Sequence, residues 1–293
     1  MARFLITGGA GFIGSNLAHA LVARGDSVRI LDNFSTGRAG NLAGIEERVE
    51  LVRGDLRDPD AVAQAVRGVE IILHQAALNS NPRSIKEPEP TNSVNVGGTL
   101  CLLEAARRAG VRRVVYASSS SVYGESPVLP KTEDLPLLPM APYGVSKLAA
   151  ELYCRVFTRV YGLETISLRY FNVFGPRQLP DSEYAAVIPR FLRSMLAGQR
   201  PTIFGDGEQS RDFTPVANVV AANLCAAEAT QGIGGVFNVA CGQASSLNQL
   251  AAWINAALGT DLPPLHDPPR PADIRHSYAS IRQAEQLLEY RPR

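Results

Sequence analysis

Phe4-Leu5-Ile6-Thr7-Gly8-Gly9-Ala10-Gly11-Phe12-Ile13-Gly14 decides the fold. A short apolar run enters a glycine turn, and a helical pattern leaves it, from about Phe12 to Val22. Gly8 permits the tight turn. Gly11 lets the backbone approach a pyrophosphate at the positive end of a helix, and Gly14 allows close helix–strand packing. Glycines alone are weak support; the strand before, the helix after and an acid further on supply the context. Asp32 is that acid, 18 residues past Gly14, at the end of the next strand. A carboxylate there accepts hydrogen bonds from an adenosine ribose and repels a 2′-phosphate, so NAD is favoured over NADP. Asp55, after the third strand, is placed either to meet the adenine or to cap the following helix.

The same rhythm continues along the first half. Val28–Leu31, Val49–Val52, Ile71–Leu73, Val114–Tyr116 and Ile166–Leu168 read as strands. Ala61–Val66, about Ser93–Arg108 and about Pro142–Tyr161 read as helices. Apolar strands alternating with helices predict an α/β fold of Rossmann type, a doubly wound parallel sheet covered on both faces. After Tyr170 glycine and proline break the rhythm. Asn218–Ala229 reads as a helix, Val236–Val239 as a strand, Ser246–Gln249 as a capping box, and Pro263–Pro271 as a loop. The expected division is a nucleotide-binding domain over 1–170 plus about 214–240. A smaller mixed domain over 171–213 and 241–293 is interleaved with it.

At 293 residues, 45% apolar and with net charge +1, the composition is that of a soluble globular protein. It carries no basic stripe that would suggest nucleic acid and no run of about 18 apolar residues that would span a membrane. The glycine turn follows Met1 too soon for a signal peptide, so a cytoplasmic location is expected. Cys101, Cys154, Cys225 and Cys241 lack disulfide or metal spacing and read as reduced, mostly buried packing residues, with no metal expected.

Tyr143-Gly144-Val145-Ser146-Lys147 carries the chemistry. A Tyr and a Lys four apart share a helix face. A cation there can hold a phenol partly ionised as an acid or base. Lys86, Lys131 and Lys147 are the only lysines among 29 cations, so an ammonium at 147 stands out. The alternative is an accident of a surface helix.

Taken together, the motifs resemble those of the extended short-chain dehydrogenases/reductases, of the NAD-dependent epimerase/dehydratase type. These are the glycine turn, Asp55-Leu56, His74-Gln75-Ala76-Ala77, Asn95, Ser118–Ser121 before Val122-Tyr123-Gly124, and Tyr143-xxx-Lys147. Arg169–Pro176 and Arg211-Asp212-Phe213 continue the match over nearly the whole chain. Gln75–Leu78, Asn81–Ser84 and Ala185–Pro189 resemble in particular the UDP-hexose 4-epimerases, including those acting on N-acetylated sugars. The chain ends at Arg293, short of the segment relatives usually add, which leaves the closure of the second domain open.

The resemblance implies a reversible C4 epimerisation of a UDP-hexose. Tyr143 as phenolate takes the 4″-hydroxyl proton, hydride passes to tightly bound NAD, the 4-keto sugar turns over, and hydride returns to its other face. Bringing a phenol from ~10 to near pH 7 needs roughly 4 kcal/mol, expected from Lys147 and the positively charged nicotinamide. Lys147 is implied to hold the nicotinamide ribose, and Ser119 to bond the 4″-oxygen. The implied cofactor set is Gly8, Gly11, Phe12, Ile13, Asp32, Asn33, Asp55, Leu56, Gln75, Ala76, Ala77, Asn95, Ser118, Tyr143, Lys147 and Tyr170. Ser120 and Ser121 line the pocket or merely finish a strand. They stand where dehydratases carry an Asp-Glu pair and decarboxylases a Glu, so neither reaction is expected.

On the substrate side the resemblance assigns Asn172, Arg211 and Arg270 to the diphosphate and Asp273 to the uridine ribose. Thr202 and Phe204 are assigned to the uracil, with Ala186 and Val187 nearby. Each has a structural alternative: a braced turn, core, or a solvated loop. Asn79, Ser80 and Arg83 contact the sugar or hold their loop. Ser277 falls where hexose-only relatives place a bulky aromatic, so room for an N-acetyl group is expected. A one-residue offset to Tyr278 would undo this. Relatives pair the helices near Ser93–Arg108 and Tyr143–Tyr161 into a four-helix homodimer, whose stripe here would include Val96, Leu100 and Leu103. The rival readings are a UDP-uronic acid 4-epimerase, with Arg83 or Arg190 as the cation at C6, and a non-catalytic NAD-binding sensor or scaffold.

Overall fold

The computed structural model describes residues 2–179, 186–269 and 275–293. Strand β1 (Arg3–Thr7) is followed by α1 (Phe12–Arg24), β2 (Ser27–Asp32), β3 (Val49–Arg53), α2 (Pro59–Val66) and β4 (Ile71–His74). Two short helices, α3 (Asn81–Lys86) and α4 (Pro88–Asn92), precede a π-helical turn, Ser93–Gly97, that runs into α5 (Gly98–Arg108). Next come β5 (Arg113–Ser119), α6 (Pro142–Tyr161), β6 (Glu164–Tyr170), β7 (Val173–Phe174), α7 (Val187–Leu196) and β8 (Thr202–Phe204). The remainder is β9 (Ser210–Arg211), β10 (Thr214–Pro215), α8 (Val216–Glu228), β11 (Val236–Val239), β12 (Ser245–Ser246), α9 (Leu247–Leu258), β13 (Leu265–Asp267), β14 (His276–Ser277) and α10 (Arg282–Leu287).

Seven strands form one parallel sheet in the order β11-β6-β5-β4-β1-β2-β3. Strand side chains alternate between faces. Phe4 and Ile6 enter a core with α1, α8 and α10, while Leu5 enters another with α2, α5 and α6. Strand order reverses between β1 and β4, and the crevice at such a reversal is where a nucleotide binds in this architecture. A third core joins α7, α9 and Ile203 of β8. Val122, Tyr123, Phe171, Ala240 and Ala279 fill the junction between the lobes.

Several elements differ from the sequence expectation. The helix expected from Ser93 begins as a π turn, because Asn95 turns its amide onto Leu78. Part of the expected loop Pro263–Pro271 is strand β13, paired to β8. The second domain is expected over 241–293, yet Ala284, Leu288 and Tyr290 pack in the first core. The Tyr290 hydroxyl donates to the Ala240 carbonyl at 2.9 Å, which fastens that tail beneath β11. The four cysteines are free, as read, but only Cys154 is fully buried.

Glycine is required at the first turn. Gly8 has φ +69, and a Cβ there would press on the Ala76 backbone. A Cβ at Gly14 would overlap the Gly8 carbonyl oxygen. Gly14→Ala is therefore expected to lower stability by about 1–3 kcal/mol, read as a lower urea midpoint. Gly97→Ala, in open space at φ −61, should be neutral or slightly stabilising in the same assay.

Candidate active site

The crevice floor is the glycine turn beside the chain leaving β4. Helix α1 starts at Gly11 with no side-chain cap and no acid in its first turn. Its first-turn N–H groups thus face outward as an anion site. The Asp32 carboxylate accepts the Ala10 and Phe34 backbone N–H groups at 2.9 and 2.8 Å, which holds it at the crevice edge. These features fit a dinucleotide. Asp55 does not cap α2; Asp58 does, accepting from Asp60 and Ala61. Asp55 instead meets Arg57 and Asn33, and the Arg57 hydrogen bonds hold its carboxyl well below the usual carboxylate range.

Other residues of the cofactor set turn their side chains into the scaffold. The Leu56 side chain packs in the core against Gly98. The Asn95 amide donates to the Leu78 carbonyl and to Ser146 Oγ, and accepts from Leu78 N–H. Gln75, Tyr170 and Asn223 close a small network: Tyr170 donates to Gln75 Oε1, and Asn223 donates to Tyr170. Sequence reasoning misses Asn223, because α8 lies far along the chain. His74 sits between Thr7 and Thr99, and burial lowers it to about 3, so it is neutral.

Across the crevice, α6 lays Tyr143 and Lys147 against the end of β5. Ser84 Oγ, at 3.0 Å, accepts the Tyr143 backbone N–H and fixes the start of α6; its only signal in the sequence is a small residue in the Asn81–Ser84 segment. Ser119 caps the turn at 120–122: its Oγ accepts the Ser121 N–H at 3.1 Å and donates to Ser121 Oγ at 3.1 Å, and it favours the ionised form of the nearby Tyr143 phenol. Ser118 points the other way, donating to Glu151. Lys147 is buried; its Nζ donates to the Ala117 carbonyl at 2.8 Å and lies 6.0 Å from the Tyr143 ring centroid.

In the protein without its cofactor, burial pushes Tyr143 above its ordinary value, offset in part by the Ser119 hydrogen bond. Burial also lowers the Lys147 ammonium to about 7, so it gives up its proton near neutral pH.

In the second lobe one cleft gathers Asn172, Ala186, Val187, Arg190, Thr202, Phe204 and Arg211, with Phe174, Phe213 and Gln209 added by the fold. Asn172 has φ +34 and donates to the Asp212 carbonyl, so it braces its turn while lining the cleft. Arg190 lies 5.8 Å from the Phe204 ring centroid. Arg270 and Asp273 lie outside the described residues. Ser80 caps α3 through Arg83 N–H, and Arg83 pairs with Glu87 at 3.4 Å. Asn79 is exposed on that loop.

Ser277 pairs in register with Arg211, and His276 with Ser210. His276 and Ser210 touch at 2.9 Å, so register partners share a face. Ser277 is then on the face of Arg211, and Tyr278 on the other. Among the described residues no group of three or more His, Cys, Asp or Glu could hold a metal, and no helix is long and apolar enough to cross a membrane.

Residues 4–240 match the NAD dependent epimerase/dehydratase family. A UDP-glucose 4-epimerase of Mycolicibacterium smegmatis is 41% identical over 99% of this chain and 93% of its own length. The UDP-N-acetylglucosamine 4-epimerase of Methanobrevibacter ruminantium, solved with UDP-N-acetylmuramic acid, superposes with TM-score 0.95 at 40% identity, over 100% of this chain and 93% of that one. The UDP-glucose 4-epimerase of Thermus thermophilus, solved with NAD, gives TM-score 0.88 at 37% identity, over 99% and 94%.

The Lys147 environment makes a pH prediction for the cofactor-free protein. The unfolded chain keeps this proton up to the ordinary value of 10.5, and the folded chain releases it at about 7. The unfolded state binds more protons between these values, so through this group stability rises with pH across that window. Lys147→Met removes the dependence. Its urea midpoint relative to the parent should be most favourable at and below about pH 7 and lose ground as pH approaches 10.5. A difference that stays constant contradicts the assignment.

Proposed function

The chain belongs to the NAD dependent epimerase/dehydratase family, and we propose that it reversibly epimerises a UDP-hexose at C4. The observation that carries this is the lip where Ser119, Tyr143 and Lys147 converge next to two carboxyl-free positions, Ser120 and Ser121. NAD, when bound, supplies the hydride acceptor and donor and, in its oxidised form, a positive charge. The first-turn N–H groups of α1, Asp32 and Lys147 are the groups that would hold it. Tyr143 takes the proton from the 4″-hydroxyl and later returns it, and Ser119 holds the same oxygen. The sugar passes through a 4-keto state and turns over between the two proton transfers. With no carboxyl group at 120 or 121, nothing there expels a 6-hydroxyl.

The second-lobe cleft supports the nucleotide assignment, with Arg211 for phosphate and Phe204 for the base. A uronic acid would need a cation at C6. Arg83 pairs with Glu87, and Arg190 lies over Phe204 in the nucleotide cleft, so plain and N-acetylated hexoses are favoured. The small Ser277, on the Arg211 face, leaves room for the acetamido group.

The protein acts as a homodimer in this reading. Val145, Leu152, Val156 and Val160 form an exposed stripe along α6, and Leu100 is exposed on the neighbouring α5. Leu103, expected in that stripe, is buried in the core instead. A second copy of this face would complete a four-helix bundle.

Incubation with UDP-Glc, UDP-GlcNAc and UDP-GlcA, followed by product NMR, tests the reaction; no 4-epimer from any of them overturns it. Ser277→Tyr should abolish turnover of the acetylated pair and spare the plain hexoses, and equal loss of both removes the gate assignment. Light scattering at micromolar protein should give a dimer mass. Leu152→Asp with Val156→Asp should give a monomer, and a monomeric parent ends the dimer proposal.

A further inference from the structure

Beneath the catalytic lip lies a charge pair that the proposed reaction does not use. Glu151 is one turn beyond Lys147 on α6, and Arg169 is on β6; their side chains are 1% and 3% exposed. Arg169 Nη2 and Nε donate to the two carboxylate oxygens at 2.7 and 3.0 Å. Ser118 Oγ donates to Glu151 Oε2 at 2.8 Å, which ties the pair to the residue before catalytic Ser119. On the far side Arg169 Nη1 donates to the Tyr123 hydroxyl at 2.8 Å, and Tyr123 donates to Asn238 Oδ1 at 2.7 Å. The pair is braced from β5 through Ser118 and from β11 through Tyr123 and Asn238.

A buried ion pair is a poor stabiliser compared with apolar residues of the same size. Its neighbours give it a use. Lys147 and Glu151 share a helix face, with Tyr143 one turn before them. Buried charges act strongly at this range, so an unbalanced carboxylate or guanidinium here would bias both the phenol and the ammonium.

We propose that Glu151 and Arg169 form a charge-balanced positioning pair for the Ser119–Tyr143–Lys147 unit, holding the end of β5 against α6 while presenting no net charge to it. The other titratable groups facing this unit are His74 on β4, Tyr116 on β5 with its ring 5.1 Å from Lys147 Nζ, Cys154 on α6, and Tyr123 and Glu133 beyond Arg169. Burial keeps His74 neutral and keeps the phenols and the thiol protonated. The Glu133 carboxyl is turned to the Asn238 backbone N–H at 2.8 Å. Glu151 and Arg169 are the buried ion pair tied, through Ser118, to the strand end that carries Ser119.

The test uses the NAD-loaded enzyme and the variants Arg169→Met, Glu151→Gln and the double variant. Two readouts are taken. One is the phenolate difference spectrum against the matching Tyr143→Phe protein. The other is the pH profile of kcat, which rests on the epimerase reading. Arg169→Met should move the Tyr143 titration and the acidic limb upward by about one pH unit, about tenfold in rate on that limb. Glu151→Gln should move both downward, and the double variant should return them to the parent position. Shifts in one direction, or lost activity with an unmoved titration, overturn the proposal. If Arg169→Met fails to fold, a downward shift in Glu151→Gln restored by the double variant still decides it. Opposite spectral shifts in a protein without epimerase activity would sink the reaction and leave the pair standing.

Discussion

The hydrogen bond from Lys147 Nζ to the Ala117 carbonyl is the contact on which the site depends. A helix brings the same face round every 3.6 residues, whereas a strand does so every two. Tyr143, Lys147 and Glu151 can meet the end of β5 together only at one axial register of α6. Lys147 pins that register at Ala117, Glu151 pins it again at Ser118, and Ser84 pins the helix start through the Tyr143 N–H. Gly144 allows the approach, since a Cβ there would lie 2.7 Å from the Ser121 carbonyl oxygen. A shift of one residue would swing the phenol about 100° away from Ser119.

The sheet was legible because its signals are local. Each central strand is apolar on both faces, and each helix begins within a few residues of a turn signal, so β1, α1, β2, β4 and α6 lie within about two residues of their expected ends, and β5 runs three residues past its own. What escaped depends on partners far along the chain. The π turn at Ser93–Gly97 follows from an amide bonded to Leu78. Strand β13 exists only by pairing with β8, some 60 residues earlier. Helix α10 joins the first core through Ala284, and the chain leaving it through Leu288 and Tyr290, although its sequence neighbours lie in the second lobe.

The candidate site was legible in its residue types more than in their directions. The glycine turn, Asp32 and the Tyr143–Lys147 pair have fixed spacings with a physical reason, and each lies at or beside the carboxyl end of a strand of the one parallel sheet. Ser118 is instructive because strand parity alone puts it opposite Ser119, facing Glu151. Ser80, Asn95 and Gln75 have the right chemistry for a ligand but spend their side chains on a cap, a loop clamp and an internal network. The ionisation of Lys147 was out of reach, because it depends on how completely the fold removes water from the ammonium.

The second lobe is organised by a different need, that of buried backbone N–H groups for an acceptor. The fully buried Asp212 carboxylate takes those of Cys241, Gly242 and Ala279. Burial raises its carboxyl, and these N–H groups pull it back. The arrangement draws β9 against the chain that carries β14, and the Asp212 N–H to the Ser277 carbonyl at 2.9 Å completes the register. Arg211 and Ser277 then point to one side as a consequence of backbone satisfaction. On the proposed reading, phosphate recognition and the room beside the sugar are therefore set by one buried aspartate that touches neither.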